Sequence, residues 1–129
     1  MKVTVAIAAP IFLISSAGVM AADLLPLKRG IYVEAGTPCK GASNADTLSY
    51  WGKGNGINDQ QTGCEITNLQ KGGSTYLLKR KCTSGRFGGS SHDEVKVTIL
   101  SRTSFVFHPW VKDRLPSRTF RYCGHKVQF

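Results

Sequence analysis

The stretch that most constrains this chain is CEITNLQKGGSTYLLKRKC, running from Cys64 to Cys82. Two β-favourable runs flank Gly72-Gly73, the signature of a hairpin, and a cysteine stands near each outer end. The other two cysteines, Cys39 and Cys123, lie far out on either side. Both flanks are therefore expected to be tied back to the hairpin. The spacings contain no C-x-x-C pair, which disfavours a zinc knuckle or a thioredoxin-like site. Two disulfides can form in three ways, and sequence does not choose among them. The pairing expected here is Cys39–Cys64 with Cys82–Cys123. The nested alternative, Cys64–Cys82 with Cys39–Cys123, would staple the hairpin to itself.

Disulfides imply an oxidising compartment, and the N-terminus agrees. Lys2 precedes an apolar run from Val3 to Ile14, followed by small residues to Ala22, with Val19 and Ala21 placed for signal peptidase. Residues 1–21 thus read as a signal peptide, and 22–129 as a single β domain of 108 residues. The competing reading is a retained anchor, since no charge interrupts Val3 to Ala22. Pro10 and the Ser15–Gly18 softening argue against it. After cleavage no transmembrane anchor remains, and a periplasmic or secreted location follows.

Gly30–Glu34, Thr47–Trp51, the two arms of the hairpin, Glu94–Leu100, Ser104–Phe107 and Thr119–Cys123 are strand candidates, separated by glycine-rich turns. In Glu94–Leu100, Val95, Val97 and Ile99 alternate with Lys96 and Thr98. On the second hairpin arm Tyr76, Leu78, Arg80 and Cys82 share the inner face, and Leu77, Lys79 and Lys81 the outer one. Arg80 conflicts with an inner position. It is expected at a rim or paired with Glu65 across the hairpin. No convincing amphipathic helix is present, although a short helical turn fits between Lys40 and Asp46. The fold class is all-β: a small antiparallel meander, barrel or sandwich, of about six to seven short strands.

The formal charge is +9 at pH 7, which favours anionic partners. Lys71, Lys79, Arg80, Lys81 and Arg86 form an acid-free cluster in sequence, with Lys79 and Lys81 taken as candidate binding residues. Loop His108–Arg118 presents Trp110 with Lys112 and Arg114, residue types that dominate many interfaces. Aromatic and basic residues interleave throughout the C-terminal quarter, as on nucleic-acid surfaces, but export argues against nucleic acid. No catalytic residue, cofactor or metal site is assigned. His92, His108 and His125 lack metal-ligand spacing. Ser91, His92 and Asp93 are sequence neighbours, which an extended chain points in opposite directions. Asp93 and Glu94 offer no glycosidase geometry, and Gly52–Gly56 lacks the ending of a phosphate loop.

The pattern carried by Gly30, Tyr32, Cys39, Cys64, Ile66, Gly73, Tyr76, Cys82, Ser104, Phe105 and Phe120–Cys123 resembles small exported two-disulfide β proteins of Gram-negative bacteria. The overall build is also similar to that of periplasmic lysozyme inhibitors with small β-barrels, although no inhibitory motif transfers residue by residue. The leading expectation is a non-enzymatic periplasmic or secreted protein that binds a protein or an anionic envelope component. The alternatives are a lysozyme-type hydrolase inhibitor, using loop His108–Arg118 or Ser84–His92, and a secreted hydrolase.

Overall fold

β-branched and aromatic residues alternating with polar ones dictate extended chain, because each strand can then bury one face. A computed structural model bears this out and describes residues 24–52, 56–59, 62–84, 88–109 and 115–126. The proposed signal peptide and Trp110, Lys112 and Arg114 lie outside the described residues. Seven strands form: β1 (Gly30–Glu34), β2 (Thr47–Tyr50), β3 (Thr62–Gly72), β4 (Thr75–Ser84), β5 (Ser90–Ser101), β6 (Ser104–His108) and β7 (Arg118–Gly124). A short 3-10 turn, Asn44–Asp46, precedes β2.

All pairings are antiparallel and the order is β2-β1-β7-β6-β5-β4-β3, curled into a half-barrel. β3 to β7 are a plain meander, and the β1–β2 pair docks on the free side of β7. The concave face holds Tyr32, Leu48, Tyr50, Ile66, Leu78, Val95, Val97, Phe105, Phe107 and Phe120 in one cluster. Tyr32 is fully buried, with its ring 5.0 Å from Phe105 and 5.6 Å from Tyr122.

The sheet opens between β2 and β3, and a three-residue clasp spans that seam. Asn58 exchanges two backbone hydrogen bonds with Ser49 of β2, each 2.8 Å. On the other side Gly56 N–H donates to the Cys64 carbonyl at 2.9 Å, and Cys64 N–H donates to Asn58 Oδ1 at 2.7 Å. Ile57, between them, is wholly buried and takes a positive φ of 44°, a conformation costly for a β-branched residue. In sequence this segment falls between strand candidates, in one of the glycine-rich turns. Ile57, the only aliphatic residue between Gly52 and Gly63, was the available signal that the segment packs inward.

The disulfides are nested: Cys64–Cys82 and Cys39–Cys123. This corrects the expected Cys39–Cys64 and Cys82–Cys123. The physical reason is register. From the Gly73-Ser74 turn, Gly72 faces Thr75 and Asn68 faces Lys79, and an unbulged ladder would then set Cys64 opposite Thr83. A bulge at Thr67 shifts the pairing by one, so Ile66 faces Arg80 and Cys64 faces Cys82. The same shift corrects the second expectation. Glu65 faces Lys81 on the outer side, and Arg80 points inward to Asp93 of β5.

Arg80 Nε and Nη2 donate to the two Asp93 oxygens at 2.9 and 2.7 Å. Nη1 donates to the Ile57 carbonyl, and the guanidinium lies 5.7 Å from the centre of the Phe107 ring. One buried side chain thus joins β4, β5 and the clasp.

Gly30 marks the tightest backbone approach. A Cβ there would sit 2.5 Å from both the Gly124 carbonyl oxygen and a Tyr122 ring carbon. Gly30→Ala is expected to cost about 2–4 kcal/mol through overpacking against main chain. Gly63→Ala, with nothing within 4 Å of its Cβ, is the control and should change stability by less than about 0.5 kcal/mol. Equal denaturation midpoints for the two variants would refute the clash.

Arg118 fixes the opposite corner. It pairs with Glu34 of β1, donates to Asp46 at 2.8 Å and to the Ala45 carbonyl at 3.0 Å, and stacks 5.2 Å over Phe120. The hydrogen bond from Arg118 holds the Glu34 carboxyl below its ordinary 4.5. A lowered folded-state value means stability that is present above pH 4.5 and lost as pH falls through the folded value. Glu34→Gln should flatten the acid limb of stability against pH below that point while changing its slope little at neutral pH. Superimposable acid limbs for the two proteins would show that the pair contributes nothing.

Candidate functional site

The two ends of the half-barrel differ in chemistry. One end gathers the β3–β4 and β5–β6 turns, the start of β1 and the run that precedes it. That run, Leu24 to Arg29, has no regular structure, yet two core tyrosines hold it in place. The Tyr50 hydroxyl accepts the Leu25 N–H at 3.1 Å. The Tyr32 hydroxyl donates to the Lys28 carbonyl, with the Arg102 carbonyl 3.3 Å away, and burial pushes its pKa well up. Lys28 N–H then donates to the Arg102 carbonyl at 2.8 Å. Leu25 and Leu27 turn down into the core, Leu24 is half-buried and Pro26 is exposed.

These contacts leave an open cavity of about 520 Å³, walled by the run Leu24–Arg29 together with Tyr76 and Arg102. Three cations, Lys28, Arg29 and Arg102, line it, and no carboxylate does among the described residues. Lys28 Nζ sits 4.7 Å over the Tyr122 ring, and Lys71 Nζ 5.8 Å over the Tyr76 ring. Tyr122 packs edge-on to His125, which stacks on the half-exposed Trp51 at 6.2 Å. The mouth therefore combines apolar floor, cationic rim and an adjoining aromatic surface. Its chemistry suits an anion attached to something apolar.

The other end holds a cavity of about 320 Å³ beside the Arg80–Asp93 pair and the Cys64–Cys82 disulfide, with Asp59, Ser91 and Phe107 in its wall. Asp59 Oδ1 there accepts the Thr62 N–H at 2.8 Å. His108, at the end of β6, has its Nδ1 against the Ser117 hydroxyl, and burial followed by the nearby Lys96 lowers its pKa.

The residues singled out from sequence fare unevenly. Lys79 and Lys81 lie on the convex face of β4 and are exposed. Lys79 faces Glu94 with a nitrogen–oxygen distance of 3.8 Å, and Lys81 stands opposite Glu65. The acid-free run in sequence is thus interleaved with acids in space. Ser91 and Asp93 line the second cavity, whereas His92, opposite Lys81, is exposed on the other face. The three do not converge. Asp93 and Glu94 likewise turn to opposite faces, Asp93 to Arg80 and Glu94 to Lys79.

Lys28, Arg29 and Arg102 were missed as a group, because Arg102 lies 73 positions after Arg29 in the chain. A basic pair immediately before a strand and a basic residue in a tight turn were the available signals. Compared with protein-family models, with curated proteins and with solved structures, the chain matches none.

Proposed function

We propose that this is an exported, non-enzymatic binding protein, periplasmic or secreted, that holds an anionic component of the cell envelope in its basic mouth. The observation that carries this reading is that Lys28 and Arg102, far apart in sequence, line one cavity with no carboxylate among its described lining residues. The formal charge of +9 favours the same class of partner, and two disulfides fit an oxidising compartment. The N-terminal pattern supports export. Separation of Ser91, His92 and Asp93 onto two faces supports a binding role over hydrolysis.

A pull-down from envelope extract with the oxidised protein, eluted in steps of rising salt, tests the reading. A component released at low salt is expected, since screening weakens contacts between exposed charges. Its yield should fall several-fold for Arg102→Gln, which keeps the backbone carbonyl that Lys28 uses. Retention through high salt, or retention unaffected by Arg102→Gln, would move the contact away from the mouth. An empty column would reject envelope binding.

A further inference from the structure

We infer that the Cys39–Cys123 bridge is a thiol-exchange site, which a dithiol reductant opens from the folded protein while Cys64–Cys82 stays closed. The inference is independent of the basic mouth. It rests on how differently the two bridges are placed.

The first difference is access. Cys64 and Cys82 are 3% and 6% exposed and lie where β3 pairs with β4. Cys39 and Cys123 are both partly exposed, and Pro38 and Lys40, on either side of Cys39, are open to solvent. Exchange requires an incoming thiolate to reach a sulfur, so the inner pair is shielded and the outer pair is not.

The second difference is charge. Arg121 Nη1 donates to both sulfurs, 2.7 Å from Cys39 Sγ and 2.9 Å from Cys123 Sγ. Its Nη2 donates to the Thr37 carbonyl, which holds the guanidinium in place. In exchange the departing sulfur leaves as a thiolate, and a better stabilised thiolate leaves faster. A cation set against both sulfurs stabilises that charge whichever of them departs.

The chemistry balances with the dithiol as the only co-reactant. One of its thiolates attacks Sγ of Cys39 or Cys123, forming a mixed disulfide and breaking the bridge. The other cysteine sulfur leaves with the electron pair beside Arg121 and takes up a proton. The second thiolate of the reductant then attacks the mixed disulfide and forms the reductant's own disulfide. The remaining cysteine is released and protonated in turn, so two electrons and two protons pass to the bridge.

Opening is local, because other bonds hold both ends of the β1–β2 connection. Ala35 N–H donates to the Thr119 carbonyl at 2.8 Å, and Arg118 donates to Asp46 and to the Ala45 carbonyl. Between those points the bridge ties the connection to β7. The selection is one of rate. At equilibrium the sequence separation of 84 favours keeping this bridge closed.

The test exposes the oxidised full chain to dithiothreitol under native conditions and quenches with acid. Alkylation and peptide mapping then follow each cysteine separately. Cys39 and Cys123 are expected to open together at least about tenfold faster than Cys64 and Cys82, at a rate proportional to dithiothreitol. Arg121→Gln should slow that opening several-fold and leave the kinetics of Cys64–Cys82 unchanged. Arg121→Lys, which keeps a cation, should recover much of the rate.

Equal rates for the two bridges, or earlier opening of Cys64–Cys82, would overturn the inference. Simultaneous opening at a rate independent of dithiothreitol would also overturn it, because reduction would then follow global unfolding. An unchanged or faster opening in Arg121→Gln would overturn the part assigned to the guanidinium.

Discussion

Asp93→Ala is expected to destabilise the fold by about 3–5 kcal/mol, a large share of the 5–15 kcal/mol typical of a whole domain. Arg80 and Asp93 side chains are only 10% and 19% exposed. Removing the carboxylate leaves a guanidinium whose remaining partners are the Ile57 carbonyl and the Phe107 ring. A desolvated charge without its counter-ion is among the costliest defects a small core can carry. Arg80→Met should be nearly as damaging for a second reason. It strips the Ile57 carbonyl of its donor in a residue already held at positive φ. Replacing both partners, Arg80→Met with Asp93→Leu, should recover much of the loss, because an apolar pair of similar volume is often no worse than a buried ion pair. Recovery should stop short by about 1–3 kcal/mol, the cost of the orphaned carbonyl.

Urea unfolding with the disulfides intact supplies the cycle. Hydrogen exchange at Asn58 and Ser49 reports on the clasp, and both Arg80→Met variants should speed it more than exchange in β5 or β6. Asp93→Ala costing under about 1 kcal/mol would show the pair to be solvated and the clasp to stand without it.

Arg80 also shows where sequence reasoning reached its limit. Its inner position was legible, because Tyr76, Leu78 and Cys82 alternate around it. Its partner was not. Within the hairpin Glu65 was the only acid in reach, yet the inner face of β4 looks across to β5, whose Asp93 arrives through a loop the sequence leaves undefined. Strand identities followed from period-two patterning and from Tyr, Phe, Val and Ile content. All seven strands fall where such runs occur, though β4 and β5 extend to Ser84 and Ser90, further into the glycine-serine loop than patterning suggests.

The site resisted for the same reason as the ion pair. Nearness in sequence made Lys79 and Lys81 look like a basic patch, and strand pairing then set Glu94 and Glu65 beside them. In space it is Lys28 and Arg102 that are brought together, through backbone contacts to Tyr32 and each other. Topology, not composition, assembles it.

The second large effect concerns the disulfides. Loss of Cys39–Cys123 is expected to cost about 4–5 kcal/mol and loss of Cys64–Cys82 about 3 kcal/mol. These figures follow from the loop entropy that each bridge removes from the unfolded chain, with separations of 84 and 18 residues. Contacts in the folded state push in the same direction. The Cys39–Cys123 sulfurs lie 2.7 and 2.9 Å from Arg121 Nη1, while Nη2 donates to the Thr37 carbonyl. That bridge pins the β1–β2 connection to β7, at the join between the meander and the added pair. Cys64–Cys82 links neighbours that the hairpin ladder already holds.

Cys39→Ala/Cys123→Ala should therefore melt lower than Cys64→Ala/Cys82→Ala, by on the order of 4–10 °C for a domain of this size. It should also release the β1–β2 pair first, seen as faster amide exchange at Tyr32 and Leu48 than at Leu78. Peptide mapping without reduction checks the pairing directly: one fragment pair should join Cys39 to Cys123 and another Cys64 to Cys82. If the hairpin variant proved the less stable, local strain relief or residual unfolded structure would outweigh loop closure, and the long-range bridge would not be what holds β1 and β2 to the sheet. If the order holds, the bridge sets the position of β1 and, through Tyr32, of Lys28. A distant covalent link would then help determine how well the basic mouth is formed, and its reduction should loosen the proposed anion binding while the β3–β4 hairpin stays intact.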